Sequence, residues 1–316
     1  MNMSDVEKIA QHIAPPLRGE IRRHEPMSKH VSWRAGGKAK QFFKPADLAD
    51  LQMFLPTLAK DEPLLFVGLG SNLLIRDDGF DGTVVLTTPT LHGLALAPAD
   101  ANVVSAGAGV ASPHTAKFAA KNGLVGAEWL AGVPGTIGGA LAMNAGCYGT
   151  ETWEQVIDCI TIDRDGALHT RTAKDYDIGY RHVAPVSNPA AQFAGDEWFV
   201  SARFRFVPGD ADTAQTRIKE LLAKRMASQP LDKPNAGSTF RNPPGDFAAR
   251  LIESCGLKGH SIGGAQVSMK HANFIINTGT ATAADIENMI DHMQATVKTA
   301  TGVELVREVK IVGSAI

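Results

Sequence analysis

Two glycine-rich segments, about sixty residues apart, constrain this chain more than any other feature. The first, Gly68-Leu69-Gly70-Ser71-Asn72, directly follows the apolar run Leu64-Leu65-Phe66-Val67. The second puts five glycines into residues 132–146: Gly132, Gly135, Gly138, Gly139 and Gly146, with Pro134, Thr136 and Asn144 between them. Glycine has no Cβ, so such loops bring bare backbone N–H groups close to a ligand. Two of them suit a long, phosphate-bearing cofactor better than a single nucleotide. Neither is the dinucleotide fingerprint. Leu73 stands where a third glycine belongs, no acidic residue follows at the ribose-binding distance, and there is no phosphate-loop lysine motif.

At 316 residues the chain is long enough for two or three subdomains. A net charge of −2 supplies no basic field for nucleic acid or a membrane surface. The three cysteines, Cys147, Cys159 and Cys255, lack metal or redox spacing and read as reduced thiols of a cytoplasmic protein. Residues 1–23 have neither a signal peptide's apolar stretch nor an anchor's. The ten histidines show no ligand spacing, so no metal site is expected.

Short apolar segments at 64–67, 83–86, 103–105 and 157–163 predict strands, and Trp198, Val200, Ala202, Phe204 and Phe206 share one face of another. Ser112-Pro113, Asp47, Asp246 and the Thr282/Asp285 pair mark helix starts; Asn122-Gly123 and Gly256 mark stops. A change of composition near Val207-Pro208-Gly209 predicts a cofactor domain at 1–207, split near residue 65, and a second domain at 208–316.

Three places combine reactive side chains with unusual backbone. Ser238, after Gly237 and a proline-rich approach, is either an exposed hydroxyl or the N-cap of a short helix; Arg241 and Asn242 beside it suit an anion. Arg181, after Gly179-Tyr180, is either a bidentate anion grip or a solvated surface charge. Residues 303–311 read as a terminal strand whose Glu308 either projects into a cleft or pairs with Lys310 in solvent.

Seven segments, in order along nearly the whole chain, resemble the UDP-N-acetylenolpyruvoylglucosamine reductase family. They are Ser32-Trp33-Arg34-Ala35-Gly36-Gly37, the stretches at 68–82 and 126–149, Tyr180-Arg181, residues 236–243, Lys270-His271-Ala272-Asn273-Phe274, and Arg307-Glu308-Val309. The pattern is similar to the subgroup lacking an extra substrate loop. The resemblance implies an α+β fold: a two-part FAD-binding domain of vanillyl-alcohol-oxidase type and a C-terminal α+β substrate-binding domain. It implies noncovalent FAD, since no histidine accompanies the 34–37 turn or the 132–146 loop. It implies NADPH as reductant and a sugar-nucleotide substrate using the same cleft in turn, in a monomer.

The family's reaction adds a hydride from flavin N5 to the β-carbon of an enolpyruvyl ether and a proton to the α-carbon. By the resemblance Ser238 donates that proton, while Arg181 and Glu308 stabilise the charge that develops. An ionised Glu308 would repel that charge, so it must be protonated or orient a donor. The expected FAD contacts are Gly68, Gly70, Ser71, Asn72, Pro134, Gly135, Thr136, Gly138, Gly139 and Asn144. The expected substrate contacts are Tyr180, Lys233, Arg241, Asn242, Lys270 and His271. One departure stands beside Arg181: the family often has serine where this chain has Val183.

Overall fold

A computed structural model describes residues 16–88, 90–189 and 196–314. The expectation for residues 1–15, and that for part of the alanine-rich loop after Val183, lie outside the described residues.

The first layer is a four-stranded sheet in the order Glu20–Pro26, Lys38–Lys44, Phe80–Leu86, Leu64–Val67. The first pair is antiparallel and the other two are parallel. Asp47 opens the crossover helix Leu48–Phe54, its carboxylate accepting from the Asp50 amide. Leu51, Phe54 and Leu55 are buried against Phe43 and Val85 of this sheet. A division near residue 65 would cut through the sheet, because Leu64–Val67 pairs with Phe80–Leu86. We place the division after Leu86 instead.

The second layer is a five-stranded antiparallel sheet ordered Leu168–Arg171, Val156–Asp163, Glu197–Arg205, Asp100–Gly107, Leu94–Ala97. Phe199, Ala202, Phe204 and Phe206 face a core shared with the helices Ser112–Lys121 and Ala211–Ser228. Ala214 and Ile218 of the latter helix are buried in that core. The chain therefore remains with these two layers beyond Val207, and we place the second boundary after Ser228 rather than at 207.

The remainder is compact. A three-stranded antiparallel sheet, Ser261–Ile262, Ala265–Val267 and Ile275–Asn277, packs on the helix Ala283–Thr301. The Thr282/Asp285 capping box is present, and Ile286, Met289, Ile290, Met293 and Val297 form the buried stripe. Two helix starts differ from expectation. Ser112 is the first helical residue, with Ala111 as N-cap. Asp246 lies before the Ala248–Ser254 helix, whose first amide is taken by Asn242 Oδ1 at 3.1 Å.

The C-terminal domain is stitched to the first layer. Lys310–Val312 pairs parallel with Leu73–Ile75. Trp33 Nε1 donates to the Ile275 carbonyl (2.8 Å) and Asn277 Nδ2 to that of Trp33 (2.8 Å). Arg76 grips Glu287 with two bonds of 2.8 and 2.7 Å. Asp77 accepts the Ala283 and Ala284 amides at 3.0 and 2.9 Å, capping the long helix from another layer. No helix among the described residues is long and apolar enough to cross a membrane.

Candidate active site

The two glycine loops meet. A Cβ on Gly68 would come within 2.3 Å of Thr136 Oγ1, and one on Gly135 within 2.5 Å of Ser71 Oγ. Glycine is required twice over at Gly70: its φ is 59°, and a Cβ would lie 2.3 Å from the His30 carbonyl oxygen. The loops form one wall of a cavity of about 590 Å³, within the range of cofactor and ligand sites. Of the expected FAD contacts, Gly68, Gly70, Ser71, Asn72, Pro134, Gly135, Thr136, Gly138 and Gly139 all line it.

Their parts differ. The Gly138 amide is bonded to the Ala108 carbonyl (2.9 Å), and a Cβ there would strike Ala108, so this glycine serves packing. Gly139 has only Thr136 Oγ1, at 3.9 Å, beside its missing Cβ, and leaves cavity space that a side chain would fill. This bare, glycine-walled trough fits a flavin dinucleotide. Asn144 does not belong to the wall. It ends the Ile137–Met143 helix in a left-handed conformation, and its amide joins Glu151, the Gly179 carbonyl and the Trp153 amide.

Three distant segments converge on the same cavity, next to the glycine loops: Asn72 Nδ2 donates to the Glu308 carbonyl at 3.1 Å. Arg181 is the second residue of the two-residue loop joining Tyr176–Gly179 to His182–Pro185. Its Nε donates to Glu308 Oε1 (2.8 Å), Nη1 to the Asn144 carbonyl (3.3 Å) and Nη2 to that of Gly146 (3.2 Å). Arginine has five N–H donors, so two remain for a ligand. Val183 is buried in the second layer's core and faces away from this cavity.

Glu308 is not in a solvent-facing strand. Only Lys310–Val312 is strand; the preceding segment is held by the Phe240–Arg307 bridge and by the Glu308 amide bonding the Thr239 carbonyl at 2.8 Å. Burial pushes the Glu308 carboxyl above its ordinary value, while Arg181 pulls the other way. Burial likewise lowers the ammonium of Lys310, helped by the charge of Arg241.

Ser238 stands on a tight turn. Gly237 has φ 77°, and its amide donates to Asn235 Oδ1 (3.0 Å). Asn273 braces the next residues: its carbonyl accepts from Thr239 N, and its side chain exchanges bonds of 3.0 and 2.8 Å with Phe240. The Ser238 hydroxyl caps no helix and is bonded to no group among the described residues; it lines the cavity with Arg181 and Glu308.

The six expected substrate contacts stand outside the wall. Tyr180 is exposed, with the Arg181 guanidinium 4.9 Å over its ring. Asn242 caps a helix. Lys270 Nζ donates to the Met226 carbonyl (2.5 Å). His271 packs edge-on against Phe274, and burial lowers its imidazole. Lys233 is exposed, between the lining residues Gln229 and Ala236. Arg241 bonds backbone carbonyls, as described below.

A cation that sequence reasoning missed does line the cavity. Arg225, in the last turn of the Ala211–Ser228 helix, donates from Nε to Gln229 Oε1 (2.8 Å). Burial lowers its guanidinium, whose charge is opposed by no carboxylate among the described residues. The faint sequence signal was a basic pair, Lys224-Arg225, just before the proline-rich turn.

Together, the glycine-walled trough and the three side chains Arg181, Ser238 and Glu308 that line it fit a flavin-dependent oxidoreductase. Comparison with known proteins is more specific. The FAD binding domain model matches residues 39–171. The model of the UDP-N-acetylenolpyruvoylglucosamine reductase C-terminal domain matches residues 229–312. The chain is 55% identical to the UDP-N-acetylenolpyruvoylglucosamine reductase of Thiobacillus denitrificans, over 98% of this chain and 97% of the relative. It is 53% identical to that of Nitrosomonas eutropha, over 94% and 90%. Its structure matches the crystal structure of UDP-N-acetylenolpyruvylglucosamine reductase (MurB) from Thermus caldophilus with a TM-score of 0.74, at 28% identity, over 93% of this chain and 98% of that one. The chain belongs to the UDP-N-acetylenolpyruvoylglucosamine reductase family, with FAD as its cofactor.

Proposed function

We propose that the chain reduces the enolpyruvyl ether of UDP-N-acetylglucosamine enolpyruvate to UDP-N-acetylmuramate, a peptidoglycan precursor, with NADPH as reductant. The observation that carries this reading is that Arg181, Ser238 and Glu308, from three separate segments, all line one glycine-walled cavity. Bound FAD supplies the hydride. Residues 68–72 and 134–139 would hold its diphosphate, leaving the part of the cavity lined by Ser238 for the reacting ether.

As hydride reaches the β-carbon, negative charge grows at the α-carbon and spreads into the adjacent carboxylate. The two remaining Arg181 donors receive that charge in a site where water is largely excluded. Glu308 orients Arg181 through its 2.8 Å bond. Ser238 gives its hydroxyl proton to the α-carbon, a strongly basic acceptor, and is resupplied from solvent. Arg225 is the cation we assign to the substrate's diphosphate, with Lys233 on the approach; NADPH enters the same cavity first and leaves. The working form is a cytoplasmic monomer.

Turnover in deuterated water tests the reading. The product should be the saturated lactyl ether, carrying a solvent deuteron at its α-carbon. Absence of any reduced nucleotide with a flavin-loaded, NADPH-reduced protein would overturn it.

A further inference from the structure

Arg241 lies three residues after Ser238, and its backbone is tied to the Glu308 segment. Its amide donates to the Val306 carbonyl at 2.9 Å, and the preceding Phe240 bridges Arg307. Its side chain crosses to the cofactor-binding layers. Nη2 donates to the Arg181 carbonyl at 3.0 Å and Nη1 to the Tyr180 carbonyl at 3.5 Å. Its Nε is enclosed, with no acceptor among the described residues. The guanidinium is thus directed at the backbone of a turn and not at the cavity.

That turn needs holding. Tyr180 and Arg181 are the whole loop of a two-stranded hairpin closed by the Gly179–His182 pair. Arg181 has φ 56°, a left-handed conformation that residues with a Cβ adopt reluctantly. The strands of the hairpin are anchored in the core through Tyr176 and Val183, but the two-residue loop stands beyond them, so the direction in which Arg181 points depends on the groups touching that loop. From inside, Glu308 and the carbonyls of residues 144 and 146 hold its guanidinium. From outside, only Arg241 reaches the loop's carbonyls among the described residues. A planar fork can take two neighbouring carbonyls at once, where the point charge of lysine cannot.

We infer that Arg241 is a positioning residue: it clamps the outer face of the Tyr180-Arg181 turn and so fixes Arg181 against Glu308, coupling that hairpin to the segment that carries Ser238. The inference rests on the reductase reading of the site. It differs from the role of substrate-anion ligand that sequence position suggests. Its charge also reaches Glu308 and Lys310, lowering both groups, so its loss would disturb the electrostatics of Glu308 as well as the geometry of Arg181.

Arg241→Lys and Arg241→Met, loaded with FAD and reduced by NADPH, can be mixed in a stopped-flow instrument with graded concentrations of the enolpyruvyl nucleotide. A positioning role lowers the saturating reoxidation rate by about tenfold to a hundredfold, the scale of a small misplacement of a catalytic group. The nucleotide concentration at half-saturation stays within about threefold. Adding Arg241→Met to Arg181→Lys costs little more than Arg181→Lys alone, since the two act through one interaction. A raised half-saturation at full saturating rate would make Arg241 a substrate ligand and overturn the inference. So would unchanged kinetics, or loss of FAD from both variants, because the clamp does not touch the glycine trough. If the reduced wild type is not reoxidised by the nucleotide, the reductase reading itself fails; wild-type turnover with unaffected variants removes only the clamp.

Discussion

Arg181 and Glu308 are each more than four-fifths enclosed, with side-chain exposures of 15% and 16%, and each limits what the other can do. Replacing Arg181 by lysine removes the fork that holds Glu308 and two carbonyls while offering a substrate. Reoxidation by the enolpyruvyl nucleotide should slow by about 10²–10³-fold, the cost of losing one preorganised donor to a developing anion; near-normal reoxidation would remove Arg181 from the mechanism. Glu308 makes a pH-dependent contribution to stability. Its carboxyl titrates higher in the folded chain than in the unfolded one. Between the two values the native state holds the extra proton, so this contribution falls as pH rises from the ordinary carboxylate range. Urea midpoints of wild type minus Glu308→Gln should therefore decline over that interval, and a rising difference would contradict the buried placement. Arg181, Ser238 and Glu308 were legible in the sequence because each sits in a motif. Arg225 was not, because a basic residue in an amphipathic helix looks like a solvated one until the helix is docked.

Among the elements, the glycine loops were the most readable and the most constrained. At Gly70 a methyl group would meet backbone, the His30 carbonyl and Val31 Cα, and neither can rotate away. Gly70→Ala should weaken FAD binding by about tenfold or more, as one to two kcal/mol of left-handed strain and the displaced loop act on the cofactor wall. Quenching of flavin fluorescence on titration of the apoprotein measures this, and unchanged affinity would mean the loop does not hold the cofactor. The capping box before Ala283 is local and was read correctly. Alternation marked the strand Glu197–Arg205 but not its bulge at Val200: Trp198 and Val200 face the core beside the first layer, while Phe199 joins Ala202, Phe204 and Phe206 in the other core. It overextended the last strand: residues 303–309 alternate too, but they find a single bridge to Phe240 rather than a partner strand. No local pattern encodes which neighbour is present.

The whole molecule is tied across its layers by residues that the motifs contain but whose purpose only the assembly reveals. Trp33, Arg76 and Asp77 dock the first layer onto the C-terminal sheet and helix. Asp77→Ala should destabilise the protein by about 0.5–2 kcal/mol, as expected for a lost helix cap. This is measurable by urea unfolding, and no loss would mean the cap is made elsewhere. The helix Ala211–Ser228 shows why we place the boundary after it: the composition changes at Val207, yet Ala214 and Ile218 are buried in the preceding core. The claim on which the account turns is that a glycine-walled trough holds FAD beside a serine that protonates carbon. Anaerobic stopped-flow on Ser238→Ala tests it most directly. The yellow variant should still be bleached by NADPH at close to the wild-type rate. Its reoxidation by the enolpyruvyl nucleotide should fall by about 10²–10⁴-fold, the contribution of a positioned acid. Equal losses in both half-reactions, or a protein that takes up no flavin, would contradict it.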